Sequence, residues 1–206
     1  MAAKIDRALN LIIPLDSEKH GRLYIHSTPI SRDIYKANYR VLARTFAQMQ
    51  ADGVTVAAGP GIARLALESV SREMGQSERD PEGIWPHVQR EVVNEIIRLT
   101  NVAVPTADKG YESMPLSTAY AREIFDTEDR DNIEGTLAFF CLEASLHPRD
   151  LATAMLSHVG GMWGFRVTSL RFTEFLSSLP ISKPGESTGV VPAQDLPVVR
   201  LASVPR

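Results

Sequence analysis

The stretch of sequence that decides the fold is LAFFCLEASL, residues 137–146. It is apolar nearly all round a helical projection, and a helix of that kind is buried on most sides. We therefore predict a buried central helix here. The acidic segment 126–134 leads into it, and acidic residues in the first turn of a helix are stabilised by the helix dipole. The segment lacks the Asp order and the glycine of a calcium loop, so we interpret its carboxylates (Asp126, Glu128, Asp129, Asp131 and Glu134) as a helix start.

Amphipathic helices are predicted on both sides of this centre. The first begins at Ser31, a suitable N-cap, and ends at Gly53. Others run from Pro60 to about Gly75, from 88 to the break at Pro105, over 116–124, after Pro148, and over 169–179. Between Pro105 and Pro115 we expect a loop. The predicted apolar stripes of these helices, in chain order, are Tyr35, Tyr39, Leu42, Phe46 and Met49; Ile62, Leu65, Ala66, Ser69 and Val70; Val88, Val92, Ile96 and Leu99; Leu116, Ala119, Tyr120 and Ile124; Leu151, Met155, His158, Val159 and Met162; and Leu170, Phe172, Phe175, Leu176 and Leu179.

The two ends of the chain differ from this helical body. Two β-prone runs, 9–14 and 22–27, flank the polar segment 16–21, which predicts a hairpin. Its second strand should bury Leu23 and Ile25 and leave the more polar Tyr24 and His26 outside. Such a ribbon is marginal alone, so it should pack on the helices or pair with another chain.

The chain from Pro180 onward is predicted to be a disordered tail. Five prolines, counting Pro180, lie there among Ser, Gly and Thr, with no aromatic residue. Together these patterns predict a mainly α protein with a small N-terminal β-hairpin segment (1–30), a single helical body of six or seven helices (31–179) and a flexible Pro/Ser/Gly-rich tail (180–206).

The composition excludes several classes of protein. The chain has 206 residues, 44% of them hydrophobic, and a formal net charge of −3, which argues against a protein that binds nucleic acid through clustered cations. A lone cysteine excludes a disulfide-stapled secreted domain and indicates a reducing compartment. No apolar run approaches the roughly 20 residues that span a bilayer. The first ten residues carry Lys4, Asp6 and Arg7 where a signal peptide would be apolar.

The short motifs each have an ordinary structural interpretation. Residues 54–64 (VTVAAGPGIAR) suggest a phosphate-binding turn, but Pro60 lacks an amide N–H, Arg64 occupies the third glycine position, and no Gly-Lys-Ser/Thr follows, so we favour a plain helix start. Cys141 lies among aromatic and aliphatic neighbours, where burial leaves a thiol inert. Trp85 and Trp163 are flanked by helix breakers, and each either anchors a partner or closes the domain's own core.

The five histidines are scattered and show no metal-ligand spacing. His158, on an apolar stripe, is expected to be a hydrogen-bonded core residue. We predict no catalytic, cofactor-binding or metal-binding residue.

One resemblance rests on the order of segments. These are LYIHSTPIS (23–31), a strand running into the first helix; IIRLTNVAVP (96–105); MWGFRVTSL (162–170); and TEFLSSLPIS (173–182). Over most of residues 9–190 the chain resembles the tail assembly chaperones of long-tailed bacteriophages.

The resemblance implies a non-enzymatic protein of the infected host's cytoplasm, absent from the mature virion. It would bind the tape measure protein and assist polymerisation of tail tube subunits, and it would self-associate if the hairpin pairs with a second copy. Apolar faces of a helical client could lie in grooves between amphipathic helices, with Tyr35, Tyr39, Phe172 and Phe175 as candidate contacts that spacing alone assigns to the core. Two alternatives remain open: a structural virion protein, such as a tail or head–tail connector component, and a small enzyme, for which no motif argues.

Overall fold

The computed structural model describes residues 9–53, 59–106 and 110–179. The predicted tail (180–206) and the first five residues of the candidate phosphate loop (54–58) lie outside these residues. The strands are β1 (Asn10–Ser17), β2 (Gly21–Ser27), β3 (Thr100–Thr106), β4 (Gly110–Pro115) and β5 (Arg166–Thr168). The helices are α1 (Arg32–Ala37), α2 (Tyr39–Asp52), α3 (Ala63–Ser77), α4 (Ile84–Arg98), α5 (Leu116–Ala121), α6 (Thr127–Leu146), α7 (Arg149–Trp163) and α8 (Phe172–Ser178), and a 3₁₀ turn (Pro60–Ile62) precedes α3.

The prediction of a mainly α protein is wrong, because the strands form one five-stranded sheet and the fold is α+β. The sheet has the order β4-β3-β2-β1-β5, and each neighbouring pair is antiparallel. The predicted hairpin is confirmed as β1 and β2, with Ile13 opposite Ile25. It is the middle of a larger sheet rather than a separate ribbon.

Strands β3, β4 and the short β5 are the elements that the sequence pattern missed. The helix predicted to reach Pro105 ends at Arg98, and the predicted loop after it contains strand β4. The run 102–104 (VAV) is apolar and rich in β-branched residues, as strand interiors are. Pro105 is tolerated because β3 pairs with β2 only as far as Ala103, so its missing N–H lies beyond that ladder.

Helix α6 is the buried centre of the helical layer, as predicted. Nine of its residues are buried, from Ile133 to Glu143, and seven of them join a core cluster with sheet residues such as Leu23, Ile25 and Val102. A Cβ placed on Gly135 would overlap the carbonyl of Gly61 in the 3₁₀ turn. Glycine is therefore what lets this backbone approach α6 so closely.

The ends of several helices agree with the predictions. The Ile34 N–H donates to the Ser31 hydroxyl at 3.3 Å, and Gly53 ends α2 in the left-handed conformation at φ 59°. Asn38 divides the predicted first helix into α1 and α2. Pro60 begins the next helical segment, as expected.

Two helices are rotated relative to the predicted faces. Helix α3 buries Ala63, Leu67, Val70, Ser71 and Met74, whereas Leu65 of the predicted stripe is exposed. Helix α7 buries Ala152, Leu156 and Gly160, none of which was on its predicted stripe. In α7 the small residues Ala152 and Gly160 on the buried side allow close packing, and the larger Leu151 and Met162 lie outside.

Candidate functional site

The candidate phosphate loop forms a plain helix start in its described part. Gly59 has φ 75°, and a Cβ there would lie 3.0 Å from the Trp163 ring. Pro60 opens the 3₁₀ turn. The Arg64 guanidinium lies 2.6 Å from the Glu134 carboxylate, with which it forms an ion pair. The positive charge nearest this turn is therefore engaged within the protein.

The acidic segment before the central helix has the predicted capping role. Asp126 is the N-cap of α6, and its carboxylate accepts the Asp129 N–H at 2.8 Å. Glu128 and Asp129 lie in the first turn. Within the described ranges, no group of three or more His, Cys, Asp or Glu side chains is arranged to hold a metal ion.

The histidines occupy positions that spacing did not predict. His158 is exposed, so its prediction as a core residue is wrong. His26, predicted to lie on the more polar side of the hairpin, is 1% exposed, and burial lowers its pKa below 6.5. Its Nε2 lies 3.0 Å from the Leu170 carbonyl, which can only accept, so this nitrogen carries the proton.

Glu143 is a buried carboxyl group that the sequence did not indicate. It is 1% exposed, and burial raises its pKa to about 7. Its Oε2 lies 3.3 Å from the His147 Nε2, but neither atom has a hydrogen bond there. The His147 ring packs edge-on against Phe46 of α2, with ring centroids 5.1 Å apart. The pair therefore lies at the contact between α6 and α2.

Cys141 is confirmed as a core residue. Its side chain is buried in α6, and burial raises the pKa of the thiol to about 12. A thiol in this environment is neutral at physiological pH and is a poor nucleophile.

The two tryptophans differ in environment. The Trp85 ring lies under the Arg40 guanidinium, 5.1 Å from ring centroid to Cζ, and its indole N–H donates to Glu78 at 3.1 Å. Trp85 therefore ties α4 to α2 and to the end of α3. Trp163, at the end of α7, covers Gly59 and is still 45% exposed.

The four candidate aromatic contacts are divided between solvent and interior. Tyr39 is exposed and lies edge-on to Tyr35, with centroids 5.8 Å apart. Phe175 is buried and Phe172 is partly buried on the sheet. The structure does not bring these two pairs together into one site.

Helix α7 presents an apolar face to solvent. Leu151 is 47% exposed and Met162 is 59% exposed, and Met155 lies between them along the helix. We call Leu151, Met155, His158 and Met162 the α7 apolar face. Between Leu151 and Trp163 the helix has no Asp, Glu, Lys or Arg. This surface therefore offers contact area for apolar side chains and little for charged ones.

A shallow groove lies between α2 and α3. Its volume is about 360 Å³, and we call it the α2–α3 groove; its lining is Gln48, Met49, Ile62, Leu65, Ala66, Ser69 and Glu73. Leu65 is 57% exposed, and the small side chains of Ala66 and Ser69 make room beside it. Four of the lining residues belong to the stripe that was predicted to be core.

The end of α7 and the α2–α3 groove both lie against the turn before α3. Trp163, the last residue of α7, contacts Gly59, which directly precedes the turn, and Ile62, at the end of the turn, lines the groove. The arrangement suits an extended apolar partner, and the titratable or hydroxyl side chains among the residues that form it are those of His158, Ser69 and Glu73. Spacing found these residues as apolar stripes but assigned them to the interior.

Neither the family models nor the curated proteins nor the solved structures include a match to this chain. Within residues 9–53, 59–106 and 110–179, no helix combines the length and apolar character needed to cross a bilayer.

Proposed function

We propose that this protein is a non-enzymatic phage tail assembly chaperone that binds the tape measure protein and assists tail tube polymerisation. The observation that carries the proposal is the orientation of α7, which packs inward through Ala152, Leu156 and Gly160 and turns larger apolar side chains to solvent. Exposed apolar surface of this kind is a mark of protein interaction sites. The order of segments that resembles tail assembly chaperones supplies the identity of the client.

The α7 apolar face has dimensions suited to a helical client. Fifteen residues of α-helix extend about 22 Å. Leu151, Met155, His158 and Met162 follow one another at steps of four, three and four residues, the spacing that lets side chains of a second helix interdigitate. Methionine side chains adapt to partners of different shape, which suits a chaperone that meets many turns of a long helical client.

The α2–α3 groove extends the proposed client surface. A client helix that crosses the α7 apolar face and the Trp163–Gly59 contact would reach Leu65 at the groove. Tail tube subunits would then polymerise around a tape measure protein whose apolar faces are covered until the tube replaces the chaperone. The protein would act in the host cytoplasm and leave before the virion is complete.

Co-expression with the tape measure protein of the same phage tests the client surface. We expect the wild type to keep the client in the soluble fraction and the charge substitutions Met162→Glu and Leu65→Glu to lose most of that effect, because a carboxylate cannot be buried against an apolar helix without a partner. Ile84→Glu is the matched control, since Ile84 is equally exposed on α4, outside both surfaces. Equal losses in all three variants would reject this surface.

Mass spectrometry of purified virions beside a lysate of infected cells tests the class of protein. A chaperone should be present in the lysate and absent from particles. Stoichiometric presence in particles would instead support the structural alternative, a tail or head–tail connector component. A client that stays equally insoluble with and without the wild-type protein would reject the proposed function.

A further inference from the structure

Helix α8 covers a second apolar surface, on the side of the sheet away from the main core. Antiparallel partners share a face, so Ile12 lies beside His26 and Tyr24 lies beside Ala103. Ile12, His26 and Ala103 are buried, but they do not belong to the core cluster formed by the helices and the inner side of the sheet. We call Ile12, Tyr24, His26 and Ala103 the outer sheet face.

Two aromatic side chains of α8 cover the outer sheet face. The Phe175 ring lies 5.5 Å from Tyr24 and the Phe172 ring lies 5.4 Å from His26, measured between centroids. These two phenylalanines are three residues apart, so both point to the same side of the helix. Phe175 is the one fully buried residue of α8.

Between β5 and α8 the chain is held to the sheet by the Leu170 carbonyl group. Leu170 O accepts the Asn10 side-chain amide N–H at 2.8 Å and the His26 Nε2–H at 3.0 Å. The Asn10 Oδ1 atom is buried and makes no hydrogen bond. The polar contact is therefore incompletely satisfied, and an unsatisfied buried oxygen opposes closure of this interface.

Helix α8 has little stability of its own. It has seven residues, far fewer than the roughly 12–15 that an isolated helix needs in water. Its attachment depends on two rings and one carbonyl, so local release should cost much less free energy than unfolding of the core. Its position also shows what the outer sheet face accepts: a short helix with aromatic residues three apart, preceded by a carbonyl group that accepts hydrogen bonds from Asn10 and His26.

We propose that α8 is an autoinhibitory helix that occupies the outer sheet face in cis and is exchanged there for an aromatic-bearing helix of the client. This inference rests on the proposed function for the identity of the client, but exchange of α8 itself does not. The apparent affinity of the client for this face is the intrinsic affinity multiplied by the fraction of molecules in which α8 is open. A client that carries the right helix then recruits the outer sheet face in addition to the α7 apolar face.

The test uses a labelled peptide of residues 169–179 (SLRFTEFLSSL), which is the α8 segment itself, added to the full chain. Phe175→Ala weakens the internal helix, so we expect this variant to bind the peptide at least about fivefold more tightly than the wild type, as read by fluorescence anisotropy. Phe172→Ala should act in the same direction. Thr173→Ala is the matched control, because Thr173 is on the exposed side of α8.

The outcomes separate the two proposals. Exchange at the outer sheet face would be overturned if the wild type and both Phe variants bound the peptide equally, or if none of them bound it. This result would not depend on how the client behaves. If the variants do bind the peptide, soluble tape measure protein should displace it. Failure to displace would overturn the outer sheet face as a client site and leave the α7 apolar face to its own test.

Discussion

The close approach of α6 to the 3₁₀ turn predicts opposite effects for two glycine-to-alanine substitutions. At Gly135 an added Cβ would overlap the Gly61 backbone, which is a carbonyl in a turn and cannot rotate away as a side chain would. The two segments would have to separate by about 1.5–2 Å to reach ordinary contact, and overpacking of this kind costs about 1–3 kcal/mol, or more against rigid backbone. At Gly161 an added Cβ meets nothing within 4 Å.

Alanine has a higher helix propensity than glycine, and the resulting gain in stability is the same at both sites. It stabilises a helix interior by about 0.5–1 kcal/mol relative to glycine. We therefore expect Gly135→Ala to lower the free energy of unfolding by about 2 kcal/mol net and Gly161→Ala to raise it by about 0.5–1 kcal/mol. For a chain of this size, the first change corresponds to a fall in Tm of about 4–8 °C.

Urea denaturation followed by circular dichroism at 222 nm measures both changes. The urea dependence of the free energy should be the same in the wild type and both variants, so that the shift in midpoint reports stability alone. A Gly135→Ala variant as stable as the wild type would refute the close contact between α6 and the turn. A Gly161→Ala variant that is strongly destabilised would refute the open surface on that side of α7.

Three further predictions concern buried titratable side chains. The pKa of His26 is lower in the folded state than in the unfolded state. The stabilisation that neutral His26 contributes is therefore present above about pH 6.5 and is lost as the pH falls through the folded pKa. We expect the free energy of unfolding of His26→Gln, measured in urea titrations, to fall less at acidic pH than that of the wild type. The pKa of Glu143 is raised to about 7 in the folded state, so its contribution to stability is fully present below about pH 4.5 and is lost as the pH rises through 7. Glu143→Gln should remove up to roughly 3 kcal/mol of that loss in the free energy of unfolding between pH 5 and 9. An unchanged dependence of stability on pH would contradict the burial of Glu143. Cys141 should react with iodoacetamide only in denaturant, and labelling of the native protein within minutes at pH 8 would show that α6 opens.

The sequence was sufficient to predict the helices but not their rotation. Leu151, Met155 and Met162 have the spacing of a buried stripe, and periodicity alone cannot show which side of an amphipathic helix meets the protein's own core. That choice was made by Ala152 and Gly160, whose small size matters only once a neighbouring helix is in place. The buried stretch 137–146 posed no such problem, because its apolar residues surround the helix.

The sheet was underestimated for a related reason. The helical spacing of Val92, Ile96 and Leu99 runs directly into the apolar residues of β3, and a short apolar run fits a strand as well as a buried helix. Pairing with β2, which is distant in the chain, decides between them. The burial of His26 was missed because its cover, α8, comes from the far end of the described chain, and only the aromatic pair Phe172 and Phe175 hinted at a packing role.

The strand order has a consequence for synthesis on the ribosome. β1 is paired with β2 on one side and with β5 on the other, and the partner of Asn10 is Thr168. While the ribosome is still translating the helices, one edge of β1 has no native partner, and an unpaired strand edge invites pairing with other nascent chains. The second neighbour of β1, strand β5, therefore emerges from the ribosome only after nearly the whole described chain has been synthesised. Premature truncation anywhere before Arg166 should leave a product that forms helices but aggregates through β1.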